Sequence, residues 1–473
     1  MYSPISQNYA SSSILIVYLV RLIAFCIVLV VCSYSYLITL GTLDWKKMEF
    51  IAESKSSRLL RTVLRQRIFH LDLKGAPPRA EYYEELFPLL RQLNFTHVLM
   101  EYEDMFPYSG ELLMLRAGSA YSETTLKKIV ELAESNNLEV IPLVQTFGHM
   151  EFVLKLPQFS MLREDARMED TICPSDPRSL KLIQEMLTQV RSLHSHSKIL
   201  HIGADEAYHI AKDERCIHRL RTELNNSVDR LKIDHISRVA RIAKDLHFEK
   251  VWAWNDMYDN ISVPLMMEYR LGELIVPVIW GYAENVCAKG YFPDGMFERF
   301  YQVFDELIFA SAFKGANGQS QTFMRSSRYM ANLISYYNLY EKMELFLSGK
   351  LSGMILTGWQ RYNHKLPLCE LLPAAIPCLV KQALYLQDWS NPQSAADFHD
   401  AKFMLEKLRL IKWKVDVTGG YDSQLRDQLG ALKNEIEPIL RRYFYNDTVT
   451  EWITQNMVVP TSSLLTHSSL PSS

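Results

Sequence analysis

Two carboxylates stand side by side at Asp205-Glu206, just behind the apolar, strand-like run Ser197-Lys-Ile-Leu200. Neighbouring side chains of an extended strand point to opposite faces, so this pair shares a site only where the chain bends. Gly203 supplies backbone freedom for such a bend. A bent pair suits acid–base cleavage of a glycosidic bond. One acid protonates the leaving oxygen, while its neighbour, too close to oppose it across a sugar ring, orients a group on the substrate itself. The plainer alternative is a helix N-terminus, where the dipole favours Asp and Glu. Convergence of other polar and aromatic groups on the same place separates the two readings.

From Arg67 onward, short apolar runs alternate with amphipathic stretches, the order expected of βα units. The pattern predicts strands at Ile68 to Leu73, His97 to Tyr102, Glu139 to Gln145, Lys198 to Gly203, Lys250 to Trp254, Ile275 to Trp280, Glu306 to Ser311 and Gly353 to Gly358. Helical spacing marks Glu81 to Leu93, Thr124 to Ser135, Ser179 to Leu193, Asp229 to Leu246 and Arg328 to Phe346. Eight alternations imply an α/β fold of the (β/α)8 TIM-barrel type, whose catalytic groups follow the strand C-termini. The candidate residues fall there: Asp72 and Lys74 after the first strand, Glu101, Glu103 and Asp104 after the second, and His149 after the third. Asp205 and Glu206 follow the fourth; Trp254 closes the fifth, Trp280 and Tyr282 the sixth, and Trp359 the eighth. A pyranose has an apolar C–H face that packs on indole, and an N-acetyl methyl needs a tight apolar slot, so Trp254, Trp280 and Trp359 read as a sugar wall rather than ordinary core aromatics. His149 is either a hydrogen-bonded structural residue or a partner of the carboxylates.

The chain's 473 residues hold one large barrel and an appendage, and a net charge of −3 leaves no basic footprint for nucleic acid. No Cys/His spacing of zinc type and no phosphate-cradling glycine loop is found, so neither metal nor cofactor is expected.

HxGxDE at His201 to Glu206 resembles the signature of glycoside hydrolase family 20, the β-N-acetylhexosaminidases. The likeness extends through His70-Leu-Asp-Leu-Lys-Gly-Ala-Pro-Pro78, Glu101 to Tyr108, Val140 to Lys155, Ala312-Phe-Lys-Gly-Ala316 and Leu356-Thr-Gly-Trp-Gln-Arg-Tyr362, covering roughly residues 66 to 388. It implies a retaining, substrate-assisted exo-hydrolase in which the 2-acetamido oxygen attacks and an oxazolinium ion forms. By the same resemblance Asp205 aligns the acetamide and Glu206 serves as acid, then base. The tryptophans line the acetamido pocket, His149 supports the acid/base, and Tyr282 is a candidate donor to the acetamido carbonyl. Two departures stand out. No tyrosine precedes an aspartate by two residues on strand seven, and the arginine that many relatives carry after strand one is replaced by Asp72 and Lys74. Asp72, Glu101 and Asp104 are then the candidates to read the 3- and 4-hydroxyls, with N-acetylgalactosamine favoured over N-acetylglucosamine. Rival readings are another acetamide-using barrel glycosidase and a catalytically silent, membrane-anchored glycan-binding protein.

The N-terminus departs from a plain soluble enzyme. Leu22 to Leu40 is an uncharged apolar run of membrane-spanning length, flanked by Arg21 on one side and Lys46 and Lys47 on the other, so the positive-inside rule is split. A cleaved signal peptide and a nucleo-cytoplasmic location, as in the soluble intracellular member it most resembles, are the alternatives to a secretory-pathway, Golgi-type anchor with a lumenal enzyme. Sequons at Asn94, Asn225, Asn260 and Asn446 suit the lumen. The expected organisation is an anchor over 1–43, a stem over 44–66, the barrel over 67–395, two or three C-terminal helices over 396–459, including Phe403 to Lys414 and Tyr421 to Tyr445, packed on its flank, and a disordered Ser/Thr/Pro-rich tail over 460–473. Expected partners are a glycan or glycoconjugate and a membrane, with a homodimer left open.

Overall fold

The computed structural model describes residues 64–319, 321–322, 324–386 and 423–457. Strands β1 (Gln66–Asp72), β2 (His97–Glu101), β3 (Glu139–Leu143), β4 (Ile199–His201), β5 (Lys250–Trp254), β6 (Val276–Trp280), β7 (Leu307–Lys314) and β8 (Leu351–Gly358) close in sequence order into a parallel barrel. All the predicted strands are present. Their shared property explains why: strands covered on both faces read as near-continuous apolar runs, and β2, β4, β7 and β8 are buried at every position. Ile68, Leu99, Ile141, Ile199, Trp252, Val278, Ile308 and Ile355 fill the interior. Alternate residues such as Phe69, Val98 and Phe309 belong to the larger outer core shared with the helices.

The main outer helices are α1 (Tyr83–Gln92), α2 (Glu123–Ser135), α3 (Pro177–Leu193), α4 (Glu214–Thr222), α5 (Val228–Asp245), α6 (Met296–Val303), α7 (Ser326–Lys342) and α8 (Leu372–Tyr385). Local chemistry sets their starts. Ser122, Asp176, Asp213 and Ser227 accept from backbone amides two or three residues on, capping α2, α3, α4 and α5. The predicted 328–346 helix is broken at Met343 into α7 and a short turn at Glu344–Leu347. Helix α4 was missed by periodicity because only Cys216 and Leu220 of its nine residues are buried.

After a stretch outside the described residues come α9 (Ser423–Tyr443) and α10 (Asn446–Met457). Of the two or three helices expected there, the one over 421–445 is α9; α10 bears on the loops after β1 and β8: Thr448 Oγ1 donates to Gly75 O at 3.0 Å, Leu368 N–H donates to Gln455 Oε1 at 3.1 Å, and Glu451 pairs with Arg361. Among the described residues no helix is long and apolar enough to cross a membrane. The expected anchor, most of the stem, the predicted helix at Phe403 to Lys414 and the tail lie outside the described residues.

Candidate active site

The mouth of the barrel holds a cleft of about 270 Å3 lined by Lys74, Glu101, His149, Asp205, Glu206, Trp254, Trp280, Tyr282, Trp359 and Arg361, among others. The predicted site residues are therefore brought together except Asp72, Glu103 and Asp104, Glu103 being paired with Lys74 at 2.9 Å and His364 at 2.5 Å. The Asp72 carboxylate is fully buried and consumed by the backbone, its Oδ1 accepting from Lys74 N–H at 2.8 Å and Oδ2 from Gln360 N–H at 2.7 Å. It ties the β1 loop to the β8 loop. Asp104 is likewise engaged away from the cleft, by Lys155 at 2.9 Å and His364 at 3.5 Å.

The bend after β4 is sharp. Gly203, Ala204 and Glu206 all have positive φ, at 61°, 69° and 50°. For alanine and glutamate this region is costly and is held by surrounding structure. Two supports are visible. A Cβ on Gly148 would lie 2.0 Å from Asp205 O, so the β3 loop reaches the turn only because residue 148 is glycine. From the other side, Asp256 Oδ2 accepts Glu206 N–H at 2.8 Å.

This geometry gives the two carboxylates different surroundings. The Asp205 side chain is 7% exposed and that of Glu206 is 38% exposed. His149 lies between them, Nε2 standing 3.4 Å from Asp205 Oδ2 and 3.2 Å from Glu206 Oε2. Burial opposes charging this imidazole, but Asp205 and Glu206 outweigh it and hold the pKa well above the usual histidine range. At neutral pH the ring is a cation bridging both acids. The remaining Asp205 oxygen, Oδ1, is buried and has no hydrogen-bond partner in the protein.

Aromatic rings complete the pocket. Trp280 stacks on Tyr282 at 5.3 Å between centroids; Trp254 and Trp359 meet at 5.8 Å, and Tyr282 turns its edge to Trp359 at 6.3 Å. His201 backs Trp254 and His70 backs Trp359. The Tyr282 hydroxyl, Trp359 Nε1 and Trp254 Nε1 are buried without a hydrogen-bond partner of good geometry. Leaving one such group unpaired costs about 1–3 kcal/mol, so several together favour a ligand that supplies both an acceptor and a donor. Glu101 lines the cleft with its oxygens already engaged, by His70 Nε2 at 3.1 Å and Gln145 Nε2 at 3.1 Å. Gly358 N–H points at His70 Nδ1, which places the ring proton on Nε2, facing Glu101.

Sequence reasoning missed Asp256 and Arg361 as site residues, although both lay in runs already noticed, the β5 end and the 356–362 match. Asp256 joins the catalytic turn to the wall, its Oδ1 accepting from Trp280 Nε1 at 3.1 Å. Burial, then the charge of Asp205, push its pKa up to about 8 from 3.8. The folded state therefore favours the protonated form. This carboxyl costs nothing below its unfolded pKa, costs progressively more as pH rises from there to about 8, and is at full cost above. Asp256→Asn is expected to lose one of the two bonds and about two- to tenfold in kcat/KM, a hydrogen bond to the neutral carboxyl being worth roughly 0.5–1.5 kcal/mol. Its melting temperature relative to wild type should improve between about pH 5 and about pH 9. A difference independent of pH would remove the assigned role of burial.

The chain is similar to known proteins. Residues 92–292 match the model of the glycosyl hydrolase family 20 catalytic domain. Hexosaminidase D of Bos taurus is 41% identical over 329 residues, covering 69% of this chain and 93% of that one. Hexosaminidase D of Homo sapiens is 41% identical over 323 residues, and the chain spans 67% of its own length and 65% of that relative's. Among solved structures, the β-N-acetylhexosaminidase of Bacteroides fragilis shares the fold at a TM-score of 0.50 and 16% identity, covering 74% of this chain and 71% of that one.

Proposed function

The chain belongs to glycosyl hydrolase family 20, the β-N-acetylhexosaminidase glycoside hydrolases, and from that premise we propose that it removes terminal N-acetylgalactosamine or N-acetylglucosamine from glycans with retention, through an oxazolinium intermediate. One observation carries this reading. A buried Asp205 oxygen without a hydrogen-bond partner shares an aromatic-walled cleft with the Tyr282 hydroxyl and Trp359 Nε1, buried donors that make no well-aligned hydrogen bond, the complement of an acetamide's N–H and C=O.

In this reading Asp205 accepts the acetamide N–H and keeps the carbonyl oxygen aimed at the anomeric carbon, stabilising positive charge as it develops. Tyr282, with Trp359 beside it, donates to that carbonyl oxygen. Trp254, Trp280 and Trp359 hold the ring and the N-acetyl methyl. Glu206, the more exposed acid, protonates the departing oxygen on the open side of the cleft and then takes a proton from the water that opens the oxazolinium ring. The cationic His149 holds both carboxylates in place and is a positioning residue.

The carboxylate argument for a galacto preference weakens once Asp72 and Asp104 are turned elsewhere. Lys74, Glu101 and Arg361 remain at that side of the cleft. Paired aryl β-N-acetylglucosaminide and β-N-acetylgalactosaminide assays on the purified protein test the reading: turnover of at least one is expected. Inactivity on both would favour the silent glycan-binding alternative, which the intact carboxylate pair and tryptophan wall argue against.

For location, the uncharged run from Leu22 to Leu40 supports a membrane anchor with a lumenal enzyme. Full-length protein is then expected to resist carbonate extraction and to carry glycans at some of the sequons. Recovery in the soluble, unglycosylated fraction would refute both.

A further inference from the structure

A second cluster of reactive side chains, none of which lines the cleft, lies between the loops after β3 and β4. Residues 162–164 and 171–173 pair as a short antiparallel ribbon: Cys173 N–H donates to Leu162 O at 2.7 Å, Glu164 N–H to Thr171 O at 3.0 Å, and Arg163 bridges Ile172. The ribbon presents Glu164 and Cys173 to Cys216, which stands in the Asp213-capped first turn of α4. All three are buried, and their ligand atoms lie within 4.8 Å of one another. Cys173 Sγ is 3.6 Å from Cys216 Sγ, which in turn is 3.0 Å from Glu164 Oε2 and 3.0 Å from Ser175 Oγ.

These spacings distinguish two fates for the thiols. A disulfide needs its sulfurs about 2.05 Å apart. Tetrahedral zinc, with bonds of about 2.3 Å to sulfur and 2.0–2.2 Å to oxygen, sets its sulfurs about 3.8 Å apart and sulfur from oxygen about 3.5 Å. The observed sulfur pair, at 3.6 Å, stands close to the second arrangement and far from the first, while Cys216 Sγ and Glu164 Oε2, at 3.0 Å, would open by about 0.5 Å to take up an ion. We propose that Glu164, Cys173 and Cys216 bind one soft divalent cation of the zinc type, with the Ser175 hydroxyl or a water completing the shell.

Two thiolates select such an ion over magnesium or calcium, which prefer all-oxygen shells. Binding releases the two thiol protons to solvent. Two thiolates and one carboxylate around a dication leave one net negative charge, and Arg215, itself paired with Asp213 and Asp176, lies within electrostatic reach of Cys173. The ligands are supplied by a ribbon and a helix end, so the site is held rigid on both sides. Glu164 Oε1 also accepts the amides of Lys212 at 2.9 Å and Asp213 at 3.3 Å, orienting the carboxylate. The chain between Cys173 and Cys216 contains β4 and Asp205-Glu206, so the ion ties together both ends of the catalytic segment. Sequence inspection gave no warning because the ligands come from distant positions with no zinc-type spacing.

Full-length protein, reduced, stripped with chelator and titrated with cadmium alone, is expected to develop thiolate-to-metal charge-transfer absorption that saturates at about one equivalent per chain. Zinc added in its place should raise the melting temperature. Cys216→Ser should abolish the absorption, and Glu164→Gln should weaken cadmium binding at least about tenfold. Glu164→Gln retains an amide acceptor and side-chain volume, and so serves if the serine variant does not fold. Absence of saturable absorption in wild type overturns the proposal. So does a non-reducing peptide map in which Cys173 and Cys216 are linked at a mass lower by two hydrogens and released by dithiothreitol, because the two thiols would then be a disulfide.

Discussion

Glu206→Gln is expected to cut kcat/KM on a natural disaccharide by about 10²- to 10⁴-fold, the usual worth of a general acid, while losing far less on an activated aryl glycoside. The reason lies in the leaving group. A nitrophenolate departs without a proton, whereas a sugar alkoxide does not, so removing the acid penalises only the poorer leaving group. Asp205→Asn should behave differently, losing about 10²- to 10³-fold on both substrates, because its proposed work is on the acetamide that both share. The structure makes this contrast reasonable: the Asp205 side chain is 7% exposed with a free inward oxygen, and Glu206 is 38% exposed toward the open side. Steady-state kinetics on the two substrate classes, with circular dichroism to verify folding, provide the check. Equal losses on both substrates for Glu206→Gln would remove it from the role of acid.

A thiazoline fused across the acetamido and anomeric positions is expected to bind at least about 10²-fold tighter than the parent sugar, since it mimics the bicyclic intermediate. The complementary experiment removes the nucleophile. A β-glucoside or β-galactoside bearing a 2-hydroxyl should be turned over negligibly even if it binds, because in the proposed mechanism the acetamide, and no protein carboxylate, attacks the anomeric carbon. Internal attack followed by water also fixes the stereochemistry, and NMR of the first-formed product should show the β-anomer. Comparable rates on substrates lacking the acetamide, or an inverted product, would withdraw the roles given to Asp205, Glu206 and Trp359.

The barrel was legible in the sequence for a physical reason. Each strand is sandwiched between an interior core and a helical layer, so it reads as a short apolar run, and helices α2, α3 and α5 carry an apolar stripe at helical spacing. Elements with little buried surface, such as α4, carry no such signal. Much of the site was legible too, because strand C-termini in this fold face one cleft: once the strands are placed, Glu101, His149, Asp205, Glu206, Trp254, Trp280, Tyr282 and Trp359 follow.

Partnership was not legible. Asp72 and Glu101 are both carboxylates at strand ends, yet one is spent on the amides of Lys74 and Gln360 while the other reaches the cleft. Sequence position assigns a side chain to an end of the barrel; it does not say which hydrogen-bond donors the neighbouring loops will offer it. Arg361 enters the cleft held by Glu451 of α10, a contact between residues ninety positions apart. Asp256 gains its influence from the Glu206 amide and the Trp280 indole, supplied by β4 and β6 on either side of its own strand. Residue types and periodicity by themselves determined the barrel, the adjacency of the acids and the tryptophan wall, because these depend on local patterning and on one rule of strand order. Tertiary structure alone decided which acid is buried, which carboxylates are consumed by backbone and how Cys173 and Cys216 meet Glu164, because burial and pairing are properties of neighbours that the chain brings together only on folding.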